Sequence, residues 1–116
     1  MASCQPKHSQ LPPTDYDLRK LVLACHFLCT ADERRRIPIL LRHLKSKGDE
    51  TFKQFNERAI EKCDSLKEIC EVLLTYKQMK PNDLHRFVAF VHEMNLEKMD
   101  NFEQLIKDYN ETFSLH

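Results

Sequence analysis

The sequence predicts an all-α fold, and three observations carry that prediction. One glycine and no tryptophan occur in 116 residues, while leucine, lysine and glutamate dominate, a composition that glycine-turned hairpin folds rarely show. Helix-start signals, a Ser or Thr followed three residues later by Glu or Asp, recur at Thr14/Asp17, Thr30/Glu33 and Ser65/Glu68. Between them, apolar residues return every three or four positions. A chain of this length has room for one core. Residues 14–113 are therefore expected to form a single helical domain, a six-helix antiparallel bundle. The stretch "MASCQPKHSQLPP", residues 1–13, carries three prolines and little that could pack, so it reads as a flexible lead-in, and 114–116 as a short tail.

Thr14 caps the first expected helix, which runs to about Cys29 with Leu18, Leu21, Val22, Cys25, Leu28 and Cys29 at helical spacing. Thr30 starts the second at once. Pro38 would lie too deep inside it to keep the backbone ladder intact, so the helix is kinked or divides into 31–36 and 38–46. Lys45 and Lys47 suit the negative end of its dipole, and Gly48 is the expected C-terminal cap. Asp49 is placed to cap a third helix, 50–63, with Phe52, Phe55, Ala59 and Ile60 inward and Cys63 a turn later. Ser65 opens a fourth, from Leu66 to about Gln78, with Leu66, Ile69, Cys70, Leu73 and Leu74 on its core face. Pro81 and Asn82 break the chain. The fifth helix, 83–94, has an apolar face wide enough for a central position: Leu84, Phe87, Val88, Phe90, Val91 and Met94. Asn95 ends it, and Asp100 with Glu103 caps a sixth, with Phe102, Leu105, Ile106 and Tyr109 on one side.

Eighteen basic residues balance eighteen acidic ones, so no overall field draws the molecule to nucleic acid or to an anionic membrane. No apolar run approaches the length of a membrane span. Five cysteines, an odd number, and no apolar leader point to a reducing cytoplasmic or nuclear setting with free thiols. Cys25 with Cys29, and Cys63 with Cys70, share helix faces and have spacings a metal could use, but all four fall on apolar faces where small buried cysteines are ordinary. His85 and His92 flank helix turns beside Glu93, yet "HEMNL" lacks the second histidine of a metalloprotease helix. With no phosphate loop, nucleophile elbow or paired carboxylates in a recognisable frame, the chain reads as non-enzymatic and without a cofactor.

What remains is interaction. Arg34, Arg35 and Arg36 have no packing role in the pattern and, with Arg42, Lys45 and Lys47, form a basic stretch. The absence of interleaved aromatics and the zero net charge argue against nucleic acid and favour the acidic surface of a protein partner. The plainer reading is that exposed helix faces are charged anyway.

The stretch "RRRIPILLRHLKSKGDETFKQFNERAIEKCDSLKEICEVLL" resembles the back half of a caspase-recruitment domain, with paired leucines, Lys-Gly and spaced phenylalanines. The stretch "VLLTYKQMKPNDLHRFVAFVHEMNLEKMDNFEQLIKDYNE" resembles the end of a death effector domain, and only that register uses all six helices. The chain thus looks like a member of the death-fold superfamily. Leu96-Glu97-Lys98-Met99-Asp100 stands where death effector domains carry an Arg-x-Asp-Leu motif, so that charge network is not carried over. The resemblance implies homotypic assembly of like domains into filaments, in apoptotic or innate immune signalling, one surface on Arg34, Arg35 and Arg36 meeting a complementary one on Glu57, Glu61 and Glu68. The competing expectation is three stacked α-hairpins, a HEAT-like scaffold that grips a partner's helix through exposed Phe90, Met94 and Phe113. The initial Met and final Ser-Leu-His allow a complete small chain, which without an enzyme attached would act as adaptor, decoy or subunit.

Overall fold

Thr14 fixes where the first helix begins. Its hydroxyl accepts the Asp17 N–H and the Asp17 carboxylate accepts the Thr14 N–H at 2.8 Å, so two of the helix's free donors are satisfied reciprocally. In the computed structural model, which describes residues 11–115, this opens α1 (Asp15–His26). Residues 1–10 of the expected lead-in, with Cys4, and His116 of the tail lie outside the described residues. Pro13 is already buried, so the packed unit starts one residue before the expected boundary. After His26 the chain turns, three residues earlier than the spacing suggested, because Thr30 starts a new helix with its own reciprocal cap to Glu33.

The proline divides the second helix as expected. α2 (Ala31–Arg35) ends where Arg36 N–H reaches back to the Asp32 and Glu33 carbonyls, and α3 (Ile37–Ser46) starts with Pro38 in its first turn, where a missing N–H costs nothing. Counting this broken helix once, the described chain has six helical units and only an isolated bridge between Lys80 and Asp83 outside them. α3 closes in a Schellman motif: Gly48, at φ +81°, donates to Lys45 and Asp49 donates to Leu44.

The third helix is much shorter than 50–63. Asp49 spends its carboxylate on the Thr51 N–H at 2.8 Å and its carbonyl on Phe52 and Lys53, which makes one turn only. Lys45 Nζ then takes the Phe55 carbonyl at 2.6 Å, and the Asn56 side chain restarts the helix by accepting from Ala59. The result is a turn that places Phe52 and Phe55 in the core, followed by α4 (Glu57–Lys62). α5 (Leu66–Thr75) has Ser65 as cap to the Glu68 N–H, without the reciprocal half of the box, and ends three residues early. α6 (His85–Met94) starts after a Pro81-Asn82 turn and stops at Asn95, in the left-handed conformation at φ +54°. α7 (Met99–Thr112) has Lys98, not Asp100, at its cap; Asp100 sits in the first turn.

The inward residues form one cluster, with Leu18, Ile37, Phe55, Ile69, Phe87 and Phe102 at its centre. α1 lies against α5 and α7, α3 against α4 and α6, and α5 against α6. The pairs α1 with α5, α1 with α7 and α3 with α6 are distant in sequence, so the helices make an all-α bundle and not consecutive hairpins laid side by side. The end of α7 packs beside the start of α1, where burial and the nearby Asp17 carboxylate push the Tyr109 hydroxyl up to about 12. The same hydroxyl donates to the Pro81 carbonyl at 2.6 Å.

Candidate functional site

The break between α2 and α3 separates the three arginines. Arg34 and Arg35, on α2, face the start of α5 across a groove of about 490 Å³ lined also by His26, Asp64, Lys67 and Glu68. Arg36, at the joint, belongs instead to a depression of about 390 Å³ between α3 and α6, with Ile39, Leu40, His43 and Glu93. Sequence reasoning set the arginines as one surface and Glu68 on another; the fold brings Arg34, Arg35 and Glu68 to the same groove. Arg42 of the basic stretch and Glu57, expected on the complementary acidic surface, are paired within the chain at 2.7 Å, and Arg35 pairs with Asp32. Glu61 is exposed on α4.

Phe90 and Met94 are corrected from exposed contacts to core. Phe90 stands 5.4 Å from Phe52, and the extra turn formed by Asp49 is what brings that ring over it. Met94 is buried at the floor of the α3/α6 depression, and Phe113 is half-buried against Tyr109 at 5.0 Å.

Other side chains take the exposed positions. Phe27 is 72% exposed and Ile39 65%, with Tyr16 and Leu23 also open to solvent. Phe27 meets the edge of the His26 ring, which lines the first groove, at 5.5 Å. Leu23 continues its line one turn back, between Arg19 and Glu71, whose side chains bridge α1 to α5. Ile39 is the apolar side of the second depression. The signal was present in the sequence: Leu23, Phe27 and Ile39 are apolar residues lying off the stripes Leu18-Leu21-Val22-Cys25 and Ile37-Leu41-Leu44 that fill the core.

The first groove is electrically mixed. Arg34, Lys67, Asp64 and Glu68 line it without an ion pair among the described residues. His26 Nδ1 is buried without a hydrogen-bond partner, and burial, then Lys67 and Arg34, lower the pKa of the ring from 6.5. It is therefore held neutral at physiological pH.

Of the described cysteines, Cys25, Cys63 and Cys70 are core residues and Cys29 packs half-buried against the core. Burial pushes the thiols of Cys25 and Cys63 up to about 12 and those of Cys29 and Cys70 up to about 11, far from the thiolate a nucleophile requires. Among the described residues no three His, Cys, Asp or Glu side chains gather as a metal could hold them, and no helix is long and apolar enough to cross a membrane. No protein-family model, curated protein or solved structure matches the chain.

Proposed function

We propose that this chain is a non-enzymatic interaction module, an adaptor or regulator that assembles with like domains. The observation that carries the reading is the pair of exposed apolar residues, Phe27 just past the end of α1 and next to His26 of the first groove, and Ile39 on α3 in the charge-rimmed second depression. Large apolar side chains held in water beside charged rims are the mark of contact surfaces. Two unlike patches on one chain join head to tail, and such contacts build open chains unless the rotation closes a ring. The likeness of two long stretches to death-fold domains, and the six helical units, support the same reading. Arg34, Lys67, Asp64 and Glu68 would set register and partner choice more than affinity. A scaffold gripping a partner's helix would have to use other residues than Phe90 and Met94, which the core occupies.

Light scattering after size exclusion, from micromolar to high concentration and at low and high salt, tests it. Growth with concentration that weakens in salt is expected, with F27D and I39D each abolishing it. An equimolar mixture of the two variants should form a capped pair, since each keeps one intact patch. A monomer at every concentration would end the homotypic reading.

A further inference from the structure

Away from those patches, the segment 77–86 forms a groove of about 500 Å³ with Glu50 and Gln54. At its edge Arg86, half-buried in the first turn of α6, donates through Nη1 to the Gln78 side-chain oxygen and, at 3.4 Å, to Thr51 Oγ1. Both acceptors are neutral. They fix the guanidinium in place without cancelling its charge, and the Asp83 carboxylate acts on it only at a distance, without an ion pair between the two. Its Nε and Nη2, the other edge of the fork, have no partner among the described residues.

Lys77 and Lys80 line the same groove, and neither forms an ion pair among the described residues. Of the two carboxylates there, Glu50 is paired with Lys53 Nζ at 2.9 Å and Asp83 with His85 Nδ1 at 2.7 Å, within the groove. Backbone conformation adds an independent observation. α5 ends in a Schellman motif, with Lys77 donating to Leu74 and Gln78 to Leu73. Its left-handed position, φ +58°, is occupied by a lysine where glycine is the usual residue and where α3 has Gly48. That left-handed turn holds Lys77 at the groove, two residues along the chain from Met79 and three from Lys80.

We infer that this groove binds a phosphoryl oxyanion, as free phosphate or as a phosphate monoester. The open edge of Arg86 offers two parallel donors to two phosphoryl oxygens, and Lys77 and Lys80 supply the remaining charge. The volume exceeds that of phosphate alone and leaves room for the group an ester would attach.

The test is an amide-resolved NMR titration of the full chain with inorganic phosphate and with phenyl phosphate, ionic strength held constant with sodium chloride. Saturable shifts are expected at Thr51 and between Lys77 and Arg86, with affinity reduced about tenfold in R86Q, which loses the fork. Lys77→Gly separates binding from folding: it removes a cation while relieving the backbone, so affinity should fall as the urea midpoint rises. Equal binding of the two probes would assign free phosphate as the ligand, and tighter binding of phenyl phosphate a monoester. Shifts that never saturate, or affinity unchanged in both R86Q and K77G, would overturn the inference.

Discussion

Glu33 is the only charged residue buried to within 2% of full enclosure among those described, and both its oxygens are used. Oε1 accepts the Thr30 N–H at 2.9 Å, which starts α2, and Oε2 accepts the Glu97 N–H at 2.7 Å, in the joint between α6 and α7. The first contact was readable as a capping box. The second was not, because nothing local ties position 33 to position 97; only the packed fold brings the free donor of that joint to the carboxylate. Glu33→Gln leaves one acceptor oxygen and points an amide N–H at a backbone N–H. We expect a loss of about 2 kcal/mol, the cost of one buried donor left unmet. Urea denaturation measures it, with faster hydrogen exchange at Glu97 as the local sign. An unchanged midpoint would mean that the second bond contributes nothing.

Helix ends show where sequence reading succeeds and where it fails. Starts at Thr14 and Thr30, the division at Pro38, and stops at Gly48 and Asn95 were legible because each depends on the chemistry of one or two adjacent residues. The collapse of the expected 50–63 helix was not. It depends on Lys45, a turn away across the fold, capturing the Phe55 carbonyl, and on two phenylalanines whose burial outweighs helix continuity. The same limit applied to Phe90 and Met94: a wide apolar face does not reveal which part its neighbours will cover. Two substitutions measure the ends themselves. A Cβ added at Gly48 meets nothing within 4 Å, so Gly48→Ala should cost only the left-handed strain, about 1 kcal/mol. Lys77→Gly, at the equivalent position after α5, should stabilise by about the same amount. Chemical denaturation of both variants checks the opposite signs, and equal signs would show that side-chain contacts decide one of the two.

Across the whole molecule a single cluster connects α1 to the far end of the chain, since α1 touches both α5 and α7. Unfolding should therefore be one event. Leu18, fully enclosed on α1, tests this: Leu18→Ala should cost about 3 kcal/mol and leave a single transition in which helicity and tyrosine fluorescence are lost together. Two separated transitions would reveal a unit that folds by itself. Nearest-neighbour hairpins would have predicted independent units, and the all-α class could be read from composition while the pairing of α1 with α7 could not, because amphipathic faces do not name their partners.

That pairing also has an orientation along α1. The start of α1, at Asp17, and the end of α7, at Tyr109, are neighbours, while Phe27 lies past the opposite end of a helix about 18 Å long. The first and last helices thus meet on the side near Pro81, at the end of α1 away from Phe27.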